Sequence, residues 1–294
     1  MMDPEPVEHS GEIAGNQTWS GTHIMTNDVN VTGSLTVEAC STLEFKSGVV
    51  MSISEGGSVR LEGAADCPVR VTSAKGAPAA GDWGRIDIYN TANNNNLLEN
   101  VVVEYGGSEG SYGSIWAEEG AYIEMRDVTV RNSGAHGVYF EKSPDIEAFV
   151  DVDISNVELE AVRINSNDVG ALESLSTDGA RVMVTGDQIS SESTWTALEA
   201  PYLIDQDLSV RANWEVQAGA VVHVGSADVI SVEDGGQLRL MGESGNRVTF
   251  RGALWVESAQ TVTLDNVSFS MVDSCDVSGD GTIDAMMTDF QRCD

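Results

Sequence analysis

TWSGTHIMTNDVNVTGSLTVEACSTLEFKSGVVMSISEGGSVRLEGAADCPVRVTS, residues 18–73, returns in altered form as TWTALEAPYLIDQDLSVRANWEVQAGAVVHVGSADVISVEDGGQLRLMGESGNRVTF, residues 194–250. Trp19 matches Trp195, Gly56-Gly57 matches Gly235-Gly236, and Leu61-x-Gly63 matches Leu240-x-Gly242. Each copy is a run of short β segments broken by glycine. Within the first, Val29, Val31, Leu35 and Val37 fall on alternate positions, the period of a strand with one buried face. Repetition of this kind predicts coils stacked in a row, each burying its inner face against the next.

Working outward, the phrase Asn100-Val-Val-Val-Glu-Tyr-Gly-Gly107 aligns with Asp127-Val-Thr-Val-Arg-Asn-Ser-Gly134, and Asp153-Ile-Ser-Asn-Val157 follows about one period later. Leu264-Asp-Asn-Val-Ser-Phe269 repeats the phrase near the end. A period of about 25 residues with three short strands suits a parallel β-helix. Residues 155–176 are the nearest helical candidate, but Val162-Arg-Ile164 alternates like Val138-Tyr-Phe140, so the segment reads as strand. An antiparallel sandwich also has many short strands, but it lacks repeats at one-coil spacing. The expectation is therefore an all-β, right-handed parallel β-helix with a short C-terminal tail resembling a calcium loop. Residues 1–12 are expected to be a disordered leader, 13–187 the first part of the helix, 188–272 the second copy, and 273–294 an acidic tail. Gln17–Thr36 is expected to cover the first end of the stack, where unpaired strand edges need protection.

Charge narrows the partners. Forty-seven acidic residues stand against fifteen basic ones, a net charge of −32. Such a surface repels the phosphates of nucleic acids and anionic membranes, so neither is an expected partner. It suits an exported protein, or one kept hydrated in salt. No apolar run is long enough to span a bilayer. Four cysteines, Cys40, Cys67, Cys275 and Cys293, lack the spacing of zinc or redox motifs. Proximity in sequence favours Cys40–Cys67 and Cys275–Cys293 among the three possible pairings, and disulfides place the protein in an oxidising, extracytoplasmic compartment.

The phrases of residues 18–73, Gly81-Asp-Trp-Gly-Arg-Ile86, Val103-Glu-Tyr-Gly-Gly107 and Val128-Thr-Val-Arg-Asn-Ser-Gly-Ala-His-Gly-Val138 resemble bacterial secreted right-handed parallel β-helix repeat proteins. The resemblance covers roughly residues 15–270. It implies the fold. For function it implies only a range that includes surface proteins, adhesin-like modules and polysaccharide-active enzymes.

Asp276-Val-Ser-Gly-Asp-Gly-Thr-Ile-Asp284 places oxygen-bearing residues at positions 1, 3, 5, 7 and 9 of an EF-hand-type calcium loop: Asp276, Ser278, Asp280, Thr282 and Asp284. It resembles dockerin and thrombospondin type-3 calcium repeats, so calcium is the expected cofactor. The departure is Met287 at position 12, where a bidentate acid would complete the shell. The bland alternative is an acidic turn held by Cys275–Cys293.

Enzymes on β-helices gather acids and a base on one face of adjacent coils. Asp127, Arg131, Asp151, Asp153 and Arg163 fall within two coils and are the candidate catalytic set, with Asp127 and Asp153 expected to stack. In so acidic a chain such neighbours arise by chance, and Asp127 aligns with Asn100 and Asn266, which suggests a turn position. Trp83, Tyr89, Tyr105, Tyr112, Trp116, Tyr122 and Tyr139 concentrate in one stretch and could form a strip for sugar rings, or simply pack. Together these features point to a non-enzymatic structural or binding module at a cell surface, its partner a polysaccharide or surface protein. The alternative is a polysaccharide-degrading lyase or hydrolase on the same scaffold.

Overall fold

Alternation along the chain becomes strands stacked in parallel. The structure, a computed structural model, describes residues 5–89, 95–269 and 277–288. It divides into two compact units: the described residues up to Arg163 with Glu173–Ala180, and Ile164–Leu172 with those from Arg181 onward.

In the first unit three ladders rise together. One carries Ser34–Glu38, Ser58–Glu62 and the first halves of Leu97–Glu104, Tyr122–Ser133 and Asp145–Val157. The second carries Thr42–Phe45, Val69–Ser73 and the second halves of those long strands. The third carries Met51–Ile53, Ile86–Ile88, Gly113–Ala117, His136–Phe140 and then Val162 and Arg163. Every pairing is parallel, so like positions of successive coils lie over one another. Their inward columns are apolar and sealed: Met51, Ile86, Ile115, Val138 and Val162 are each at most 1% exposed. Burial of these columns is the main stabilising term. This is the parallel β-solenoid the repeats predict.

The second unit has the same construction. Its inward columns include Ile189–Val210–Val232–Val256 and Trp195–Val216–Leu240–Leu264. Among the described residues the one helical element is a single 3₁₀ turn, Val169–Ala171, inside the segment read as strand.

The glycines shared by the two copies have the same physical cause in each. Gly56 and Gly235 take φ of 82° and 92°, the left-handed corner that glycine adopts without a steric cost. Their neighbours Gly57 and Gly236 do not. A Cβ on Gly57 would overlap the carbonyl oxygen of Val31, and one on Gly236 that of Val210, one coil below. Gly57→Ala or Gly236→Ala must push two coils apart. Each is expected to cost about 3 kcal/mol, read as a lowered urea midpoint; a loss under about 0.5 kcal/mol would refute the contact.

Two expectations need correction. Val7–Ile13, within the stretch expected to be disordered, is a strand paired in parallel with Thr22–Val31. With Asn16–Trp19, which pairs with Ser34–Glu38, it makes the first coil, so only residues 17–19 of the expected Gln17–Thr36 cover lie there and the rest belongs to the next coil. The burial of Val7–Ile13 is confined to one end, so it is held by backbone hydrogen bonds more than by apolar contact. At this coil His9 and His23 share a 2.8 Å hydrogen bond and stack against Trp19 at 4.0 and 4.6 Å.

Asp127 does not stack on Asp153. The register pairs Val128 with Val152 and Thr129 with Asp153, which sets Asp127 over Asp151. The register slips by one between Ile123 and Glu124, and the coil here is shorter than the sequence alignment assumes.

Cys40 and Cys67 form a disulfide, Cα atoms 4.9 Å apart, as proximity in sequence suggests. Cys275 and Cys293 lie outside the described residues.

Candidate functional site

The third ladder of the first unit presents an outward column in which residues of four coils face one another in register: Asp87, Trp116, Tyr139 and Arg163. Strand alternation places them there, since their neighbours Ile86, Ile115, Val138 and Val162 point into the core. Arg85, two residues before Asp87, stands on the same face. Its guanidinium lies over the Tyr112 ring at 4.2 Å and the Trp116 ring at 5.1 Å. The Tyr112 and Trp116 rings are 4.7 Å apart. One coil on, the Arg163 guanidinium lies 5.2 Å from the Tyr139 ring. These arginine–aromatic contacts brace the rings against the sheet.

Acids surround the rings. Arg85 bonds Glu109 at 2.8 Å and lies 3.5 Å from Asp87. Burial pushes the Asp87 carboxyl up to about 6; Arg85 pulls it back, while the Glu118 and Glu109 carboxylates add to the rise. His136 is buried, 3.1 Å from Glu160, and burial holds its imidazole below the ordinary value against the pull of that acid. The same patch contains buried polar atoms without a hydrogen-bond partner among the described residues: Asp87 Oδ1, Arg85 Nε, Trp116 Nε1 and Arg163 Nε. Such atoms are rare in folded proteins, and their concentration here marks a surface not shaped for stability alone.

The neighbouring ladder carries an ion-pair network of a different character. Glu104, 3% exposed, receives Arg131, Thr72 and Arg70 from the coils on either side. Burial pushes its carboxyl up, but the bonds from Arg131 and Thr72 and the charge of Arg70 outweigh this and hold it below the usual range. With its lone pairs occupied, Glu104 is a clamp between coils.

The sequence-predicted set does not converge. Arg131 is engaged by Glu104, while Arg163 stands in the aromatic column. Asp127 and Asp151 are corner residues, φ 52° and 53°, like Asn100 and Asn266 at 51° and 48°. Asp151 accepts a bond from Ser174, and with Asp153, Ser174 and Ser176 it lines a shallow cleft on a different ladder. Of the predicted aromatics, Trp83 is fully buried against Phe45 and Tyr122 is buried, whereas Tyr112, Trp116 and Tyr139 meet on the outer face. Sequence reasoning missed Asp87 and Arg85. Arg85-Ile-Asp87 alternates around a core isoleucine, and aligning Ile86, Ile115 and Val138 would have set Asp87 beside the rings.

Asp276 lies outside the described residues. Ser278 belongs to the strand Val277–Ser278, and Thr282 and Asp284 to Thr282–Met286, which pairs in parallel with Thr261–Asp265. Asp280 is exposed between them. A Cβ on Gly281 would overlap Val256, so coil stacking by itself accounts for that glycine.

Parallel coils, sealed apolar columns and an outward aromatic strip define the chain as a parallel β-helix repeat protein, a scaffold used both for binding and for catalysis. Residues 16–119, which include Asp87, Tyr112 and Trp116, match the sequence model of the pectate-lyase like beta helix domain. No curated protein and no solved structure matches the chain.

Proposed function

We propose that the protein is an exported β-helix that binds polysaccharide along the Asp87–Trp116–Tyr139–Arg163 column without cleaving it. The observation that carries this reading is the register of Trp116 and Tyr139, two half-buried rings on successive coils. Adjacent strands are about 4.8 Å apart, close to the advance of one sugar along an extended glycan. A chain laid across the coils can therefore set one sugar ring against each aromatic side chain. Export is supported by the Cys40–Cys67 disulfide; among the described residues no helix is long and apolar enough to cross a membrane.

Retention on a panel of immobilised polysaccharides, with release of reducing ends followed in parallel, tests the proposal. The native protein is expected to be retained without product. Trp116→Ala is expected to weaken retention about tenfold, one ring-stacking contact's worth. Undiminished retention by that variant would refute the assignment.

A degrading enzyme is the second reading, and Asp87 favours it: a carboxyl titrating at about 6 is suited to proton transfer near neutrality. The same shift makes a stability prediction. An acid raised from 3.8 to about 6 costs the fold nothing below pH 3.8, where it is protonated in both states, and costs it most above pH 6. Asp87→Asn is thus expected to stabilise the protein at pH 7 by about 1–3 kcal/mol, and to remove the fall in stability as pH rises through this window. Urea unfolding at pH 4 and pH 7 measures both. Equal stabilisation at the two pH values would contradict the assigned titration.

Calcium held through Asp276, Ser278, Asp280, Thr282 and Asp284 belongs to the proposal as a separate element at the tail. Heat on titration with millimolar calcium would support it, and its absence would remove it.

A further inference from the structure

The aromatic column also bears on which polysaccharide it can take. Resting on the reading just given, we infer that the strip selects an uncharged glycan and rejects polyuronates, by the acids around its rings and by its unpaired hydrogen-bonding atoms.

Asp87, Glu109 and Glu118 are close enough to one another for the second and third to act on the first. Glu141, two residues further along the same coil, acts on Tyr139, and Glu160, from the next coil, on His136. Against these stand Arg85 and Arg163. Arg85 is committed to Glu109 and to the faces of Tyr112 and Trp116. Arg163 lies against Tyr139, whose hydroxyl it also meets. Neither is a free fork of the kind that recognises a carboxylate through two parallel bonds. A polyuronate would bring a negative charge to each rung of a face already acidic, on a chain whose net charge is −32.

Hydrogen-bonding capacity points the same way. Asp87 Oδ1 is an unpaired acceptor, and Trp116 Nε1 an unpaired donor. Both atoms are buried, so a ligand meets them only by displacing the side chains that cover them. A hydroxyl can satisfy either, since it both donates and accepts; a carboxylate only accepts and would set oxygen against oxygen at Asp87. Vicinal hydroxyls of a neutral pyranose, with the apolar ring face above the indole, meet each demand of the site.

The test is affinity electrophoresis of the full chain through gels holding galactomannan, xylan or mixed-linkage β-glucan, and through gels holding polygalacturonate or alginate, each at low and high salt. At least one neutral polymer is expected to retard the protein, with little effect of salt, and neither polyuronate to do so. Trp116→Ala, checked for an unchanged circular dichroism spectrum, is expected to lose the retardation. Glu118→Gln combined with Glu141→Gln is expected to gain polyuronate retardation at low salt. Polyuronate retardation of the native protein, lost in Trp116→Ala, would overturn this inference and leave the polysaccharide reading standing. No retardation in any gel, or retardation that survives Trp116→Ala, would sink the reading itself and the inference with it.

Discussion

Trp83→Ala is expected to lower the stability of the first unit by about 4 kcal/mol, as for other large aromatic truncations in sealed cores. The side chain is 0% exposed. Its ring stacks on Phe45 at 4.5 Å, and its Nε1–H donates to the carbonyl oxygen of Glu104 at 2.8 Å. Removal leaves a cavity and takes this donor from the Glu104 carbonyl. The residue also anchors a local network: the adjacent Asp82 accepts bonds from Ser73 Oγ and the amide of Ala79 at 2.9 Å each, fixing the excursion after Val69–Ser73. Stacked-coil proteins need not unfold in one step. Amide hydrogen exchange is therefore the better measurement, with protection lost first at Leu97–Glu104 and Ile86–Ile88. Trp83→Phe keeps the ring and loses the donor, and should recover more than half of the loss. A loss below about 1 kcal/mol for Trp83→Ala would mean the indole is not packed as described.

Reduction of Cys40–Cys67 is the second large effect expected. The bridge closes a loop with a sequence separation of 27, which the chain-entropy treatment values at about 3.5 kcal/mol. Cys40 takes φ of 67°, and its amide donates to the carbonyl of Cys67, so the bridge locks a left-handed corner to the coil above it. The other unit repeats the turn without the bridge. There Glu243 and Asn246 make the antiparallel contact that Ala64 and Cys67 make in the first. Cys40→Ser with Cys67→Ser should therefore fold and unfold at a lower urea concentration, close to that of the native protein in dithiothreitol. A midpoint unmoved by reductant would refute the estimate.

The scaffold was legible in the sequence and the site only in fragments, for one physical reason. Inward columns must be apolar on every coil, so Val29, Val31, Leu35 and Val37 announce themselves, and Gly57 and Gly236 recur because backbone crowds backbone. Outward positions carry no such constraint. Trp116 and Tyr139 were visible as aromatic residues, but their opposition depends on register, which shifts even within one pair of strands, between Ile123 and Glu124. Asp87 was hidden among many acids; its burial depends on groups from other coils. Val7–Ile13 was missed because VEHSGEI has no alternation to read: its pairing is written in amide groups rather than side chains.

Coil length is unequal, and the ladders do not register it. Ile53 follows its partner Val31 by 22 residues, yet Ile88 follows Ile53 by 35, with both steps in phase. The surplus leaves at a corner and returns to the same rung. Foreign peptides spliced into that excursion should hang from the coil without shifting its neighbours. A hairpin fold, where turn length dictates strand alignment, has no comparable freedom.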